Sequence, residues 1–139
     1  MNRYGQGVAL THAVRPVSVV LAEDDERFRA LVRSVLEDDG YRVVAEAADA
    51  RSARRAVQEH RPDIVVLDLV MEGSRGLSTL REILADEPSQ PVLVISSLFD
   101  PAVEQEVVSL GAWYLEKAEG LEALEHAIDG AVSVTNAAR

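Results

Sequence analysis

The sequence predicts an α/β fold: a five-stranded parallel sheet sandwiched between helices, three layers in all. Two observations carry that expectation. Residues 17–22, 63–69 and 91–96 are continuous apolar runs of strand length, the pattern of strands covered on both faces. Between such runs lie segments of helix length, and strands separated by helices pair in parallel through right-handed crossovers.

The first strand, 17–22, ends on Glu23-Asp24, and Asp25 is placed to cap the helix that follows. In that helix Phe28, Leu31, Val32, Val35 and Leu36 recur at helical spacing as one apolar face, and Gly40 can close it. A partly alternating strand at 41–47 precedes an Ala- and Arg-rich helix at 50–59, which Pro62 stops. The third strand, 63–69, carries Asp68 at its carboxyl end. A loop with Gly73, Ser74 and Gly76 leads into a helix presenting Leu77, Leu80, Ile83 and Leu84. The fourth strand, 91–96, closes on Ser96. Asp100-Pro101 then joins a capping carboxylate to a proline at the first helical position. That helix turns Val103, Val107 and Val108 inward and ends near Gly111. A fifth strand, 112–116, is closed by Lys117, and Leu121, Leu124, Ile128, Ala131 and Val132 line the last helix.

Composition narrows the function. The 139 residues suit one domain, spanning 16–134, with a flexible tail at 1–15 and a short one at 135–139. A formal charge of −10, from 24 acids against 14 bases, argues against a nucleic-acid partner, because phosphate neutralisation needs Lys and Arg. The absence of cysteine removes thiolate chemistry and Cys-ligated metals, and His12, His60 and His126 lack ligand spacing. Residues 1–15 lack the apolar stretch of a signal peptide, and no run approaches the roughly 18 apolar residues of a membrane span. A soluble, cytoplasmic protein without membrane insertion is the expectation.

In an open α/β sheet, ligands bind at the carboxyl ends of the strands. That edge would gather Glu23, Asp24, Asp68, Ser96 and Lys117. Three clustered carboxylates repel unless a cation sits among them, and a hard oxygen-seeking ion such as Mg²⁺ suits such a set. Taken singly, Lys117 reads as a solvated lysine and Ser96 as a strand terminator. Their convergence with three acids on one edge is harder to put down to coincidence. Arg51, Arg54 and Arg55 read as a solvated helix face, and Trp113 as packing or an interface anchor.

These pieces resemble the receiver domain of two-component response regulators. The resemblance rests on Leu21-Ala22-Glu23-Asp24-Asp25-Glu26 with Phe28-Arg29, Pro62 through Met71, Gly76-Leu77, Val94-Ile95-Ser96, and Gly111-Ala112 leading to Tyr114 and Lys117. It implies a flavodoxin-like sheet of order 2-1-3-4-5. It also implies that Asp68 accepts a phosphoryl group from a histidine kinase or a histidine phosphotransfer protein. Glu23, Asp24, Asp68 and the backbone carbonyl of Val70 would hold Mg²⁺, while Lys117 and Ser96 would contact the phosphoryl oxygens. Ser96 and Tyr114 would be the switch, reshaping the face of the fourth helix, fifth strand and fifth helix for an effector protein. The implied activity is signalling and not enzymatic turnover, and a homodimer is compatible with it.

The sequence departs from the family pattern in several places. Glu72 stands where a proline usually follows Met71, which is expected to loosen the loop and add negative charge. Ser97 replaces a smaller residue, Ala118 replaces a frequent proline, and Gly111 lies six residues before Lys117, one fewer than usual. The two variable positions that tune phosphoaspartate hydrolysis hold Val70 and Leu98, which cannot orient a water, so a long-lived phosphorylated state is expected. Two alternatives stay open: a divergent receiver acting as a phosphorylation-independent interaction module, and the receiver fragment of a longer transcription regulator. An aspartyl phosphohydrolase is disfavoured because Val70 stands where its second acid is needed. A flavin carrier is disfavoured because Glu23 and Asp24 would repel its phosphate.

Overall fold

The structure, a computed structural model, describes residues 15–75 and 77–138. In chain order the elements are β1 (Ser18–Ala22), α1 (Glu26–Asp38), β2 (Arg42–Ala47), α2 (Ala50–His60), β3 (Ile64–Asp68), α3 (Ser78–Asp86), β4 (Val92–Ser96), α4 (Pro101–Ser109), β5 (Trp113–Glu116), a 3-10 turn (Lys117–Glu119) and α5 (Leu121–Ala138). The sheet runs β2-β1-β3-β4-β5 and every pairing is parallel. This is the flavodoxin-like order that the resemblance to receiver domains implied.

β1, β3 and β4 are buried along their whole length, which accounts for their lack of polar alternation. Two apolar clusters lie on opposite faces of the sheet. Val32 and Leu36 of α1 and Leu124, Ile128 and Ala131 of α5 cover one face, together with Val19, Leu21 and Val66. Ala53 and Val57 of α2, Leu80 and Ile83 of α3 and Val107 of α4 cover the other. Sandwiched this way, the sheet leaves its two edges of strand ends free to hold polar side chains, and Glu23, Asp68 and Ser96 lie at the carboxyl edge.

Asp25 caps α1 by accepting from the backbone N–H groups of Arg27 and Phe28, and Asp100 caps α4 through Ala102 and Val103. Several expectations need correction. Leu31 and Val108, assigned to inward faces, are 54% and 58% exposed. Each lies about 100° around its helix from a fully buried neighbour, Val32 or Val107, and one narrow stripe satisfies the sheet. The C-terminal tail expected at 135–139 is helical through Ala138, since α5 runs past the assumed boundary. Arg15, assigned to the N-terminal tail, is anchored: its guanidinium makes two hydrogen bonds to the Asp63 carboxylate at 3.1 and 2.9 Å. The rest of that tail, 1–14, and Gly76 lie outside the described residues.

Glu72 does not loosen its loop as expected. Its carbonyl accepts from Ala50 N–H at 3.0 Å and the residue bridges to Asp49, tying the segment after Asp68 to the start of α2. Among the described residues, no helix is long and apolar enough to cross a membrane.

Candidate phosphoryl and metal site

The carboxyl edge of the sheet builds the site from three chain crossings. β1 delivers Glu23 and Asp24, β3 ends on Asp68, and the turn after β5 begins with Lys117. One carboxylate oxygen from each of Glu23, Asp24 and Asp68 falls within 4.8 Å of the others. Glu23 is wholly buried and Asp68 is 2% exposed, whereas Asp24 faces solvent. Asp24 therefore marks the mouth of the pocket and the other two its floor.

Lys117 is the counter-charge. Its Nζ lies 2.5 Å from Glu23 Oε1 and 3.1 Å from Asp68 Oδ2, and 4.8 Å from the centre of the Phe28 ring. The ring holds the ammonium from the side by a cation–π contact. Asp68 Oδ1 accepts from Val70 N–H at 3.0 Å, and Glu23 Oε2 accepts from Asp25 N–H at 2.9 Å. Glu23 Oε1, though buried and close to Lys117, has no hydrogen bond of normal geometry.

Burial pushes the Glu23 carboxyl up to about 7; the Lys117 contact and the Asp25 N–H oppose this, and the charge of Asp68 adds to it. Burial also works against the Lys117 ammonium, but Glu23 and Asp68 outweigh it and hold its pKa above the ordinary lysine value. The pocket is thus short of positive charge. An all-oxygen donor set, a buried oxygen without a hydrogen bond and a carboxyl held near protonation fit a hard divalent cation such as Mg²⁺.

Ser96 ends β4, hydrogen-bonded to its own loop. Its hydroxyl donates to the Leu98 carbonyl at 2.9 Å and accepts from Leu98 N–H at 3.2 Å. The Tyr114 hydroxyl donates to that same carbonyl at 3.0 Å. Both residues named as the switch therefore share one acceptor. They line a cavity of about 310 Å³ with Leu69, Val103 and Leu77. Val70 and Leu98 are exposed at 59% and 71%, and Ser97 and Ala118 face solvent too.

A family model for the response regulator receiver domain matches residues 19–129, which spans every element that forms this pocket. The chain belongs to that family. It is 33% identical to chemotaxis protein CheY of Listeria monocytogenes over 94 residues, covering 67% of this chain and 79% of that protein. A LuxR-family two-component response regulator structure from Aurantimonas sp. SI85-9A1 superposes with a TM-score of 0.80 at 31% identity, covering 86% of both chains. A protein-glutamate methylesterase/protein-glutamine glutaminase of Haloarcula marismortui is 39% identical over 84 residues, 60% of this chain but 22% of the enzyme. The chain spans about a fifth of that enzyme, so the likeness concerns the receiver portion. As a receiver domain, the chain is a module of two-component signalling.

The acids, the serine and the lysine stand out in the sequence, where Phe28 and Arg29 serve the resemblance without either being given a role in the site. Phe28 faces the Lys117 ammonium, and Arg29 Nη1 donates to the carbonyl of Glu23 at 2.8 Å. Both sit on the first turns of α1, whose helical periodicity disguised them.

Proposed function

We propose that this receiver domain accepts a phosphoryl group on Asp68 in a Mg²⁺-dependent reaction and signals through the face formed by α4, β5 and α5. The observation that carries the reading is the buried pair Glu23 and Asp68 meeting at a single ammonium, Lys117, with Asp24 at the pocket mouth. The donor is a histidine kinase or a histidine phosphotransfer protein. An Asp68 oxygen forms the new O–P bond as the N–P bond of the phosphohistidine breaks and the imidazole leaves with its electron pair.

Little covalent work falls to the protein, so positioning and charge neutralisation dominate. Glu23, Asp24, Asp68 and the carbonyl of Val70 would hold Mg²⁺, which when bound would supply positive charge against the phosphoryl oxygens. Lys117 exchanges its contact with Asp68 for one with a phosphoryl oxygen. Ser96 leaves the Leu98 carbonyl for another, and the loop segment at Leu98 that holds the Tyr114 hydroxyl shifts with that exchange, which lets the ring turn. An effector protein reads the reshaped face, in the cytoplasm where the kinases deliver their phosphoryl groups.

The test is phosphotransfer from phosphoramidate in Mg²⁺ to the wild type and to Asp68→Asn, read by intact mass. One phosphoryl adduct on the wild type and none on Asp68→Asn is the expected result. An adduct on Asp68→Asn overturns the assignment, and so does a wild type that stays unlabelled while binding neither Mg²⁺ nor beryllofluoride.

A further inference from the structure

We propose that Arg29 is a positioning residue of the metal site, acting through the main chain of Glu23. The inference rests on the reading of Glu23 and Asp24 as metal ligands. Arg29 lies on α1 with its side chain only 18% exposed. Its Nη1 donates to the Glu23 carbonyl at 2.8 Å, and its Nε donates to Glu46 Oε1 at 3.0 Å. Glu46 belongs to β2 and also pairs with Arg33, so the guanidinium is braced between the sheet and its own helix.

Three of the four polar groups of Glu23 are hydrogen-bonded. The N–H donates to Ala47 O at 2.9 Å, the carbonyl accepts from Arg29, Oε2 accepts from Asp25 N–H, and Oε1 faces Lys117. The Glu23 carbonyl belongs to the same rigid peptide plane as the Asp24 nitrogen. Fixing that oxygen fixes the tilt of the plane and the direction in which Asp24 leaves it. Asp24 is exposed, so the direction of its carboxylate depends on its backbone. Arg29 also places a positive charge beside a segment that carries four consecutive acids, Glu23 to Glu26.

A merely structural role predicts something else. An Arg29–Glu46 pair working only as a surface salt bridge would contribute about 0–1 kcal/mol to stability and nothing to metal affinity. Three variants separate the two roles. Arg29→Met keeps the aliphatic stem and removes the donors, Arg29→Lys keeps the charge, and Glu46→Gln removes the ion pair but leaves an acceptor for Nε. Mg²⁺ affinity is measured by calorimetry, and the amide resonance of Asp24 is followed by NMR in metal-free protein.

The expected results are Mg²⁺ binding weakened about tenfold or more in Arg29→Met, as for other residues that orient metal ligands, partial recovery in Arg29→Lys, and near wild-type affinity in Glu46→Gln. The Asp24 amide should move far more in Arg29→Met than in Glu46→Gln. If the wild type binds Mg²⁺ and Arg29→Met binds it equally with an unmoved Asp24 amide, the role of Arg29 is wrong while the metal site stands. If the wild type binds no Mg²⁺, both fall.

Discussion

Replacing Lys117 by methionine should damage the metal-free protein far more than the Mg²⁺-loaded one. The substitution keeps the stem over Phe28 and removes only the ammonium. It leaves Glu23, with no exposure, and Asp68, at 2%, facing one another without a cation. At the observed 2.5 and 3.1 Å, each contact has a gross Coulomb energy of about 5–7 kcal/mol at an effective dielectric of 20. Desolvation cancels much of this, and breaking a buried pair by removing one partner costs about 3–5 kcal/mol. A chain of 139 residues has about 7–20 kcal/mol of total stability, so the variant should still fold.

Proton uptake limits the cost at lower pH. The folded-state value of Glu23, about 7, lies above its ordinary 4.5, so the folded protein holds that proton more tightly and stability falls as pH rises from 4.5 through 7. Removing Lys117 carries that fall to higher pH, so the loss is largest at pH 8 and smaller at pH 6. The assay is urea unfolding at both pH values in EDTA and in saturating Mg²⁺, followed by circular dichroism and the fluorescence of Trp113, the sole tryptophan. A loss near 4 kcal/mol in EDTA that shrinks to about 1–2 in Mg²⁺ is expected. Equal losses in both would show that the carboxylates neither share the lysine nor receive the metal, and the charge argument for the site would fail.

Asp63 supplies an independent pH test remote from the site. Burial raises its pKa, but the Ser18 N–H, Arg15 and the Ser18 hydroxyl together lower it below the ordinary carboxylate value. Its contribution is therefore complete above about pH 4 and lost as pH falls through the depressed folded-state value. Asp63→Asn should cost about 1.5–3 kcal/mol at pH 7, a gap that closes in acid melts; a gap independent of pH contradicts the pairing. Ile128→Ala, at a position with no exposure between α5 and the sheet, should cost about 2–5 kcal/mol in urea unfolding. The phosphorylated protein should keep its label for minutes without a phosphatase, because exposed Val70 and Leu98 have no side-chain polar atom to orient a water; loss within seconds refutes that. Tyr114→Phe removes the donor to the Leu98 carbonyl and should shift the Leu98 and Ser96 amides without preventing phosphorylation of Asp68, as NMR and intact mass would report.

How far the sequence reached depended on the range of the signal. Strands such as 63–69 were legible because burial on both faces leaves an unbroken apolar run, and a charged residue at its end can only sit at an edge. The acids, Ser96 and Lys117 could be placed together because one topological rule puts all strand ends on one side. What lay beyond reach were interactions whose partners are set by packing. Arg29 reads as one more helix arginine until α1 is laid across β1 and β2, where its two donors meet a carbonyl and a carboxylate from different strands. Leu31 and Val108 failed for a related reason, since a helical repeat shows which residues share a face but not how wide a stripe the sheet covers. Glu72 shows the limit most plainly: its side chain suggested a loose loop, while its backbone carbonyl, which has no sequence signature, fastens that loop to α2. The segment that follows Asp68 is held at one end by β3 and at the other by this bridge. If Asp68 is phosphorylated, displacing this segment would cost the Ala50–Glu72 hydrogen bond, whereas Ser96 and Tyr114 could rearrange by exchanging the hydroxyl hydrogen bonds they make to the Leu98 carbonyl.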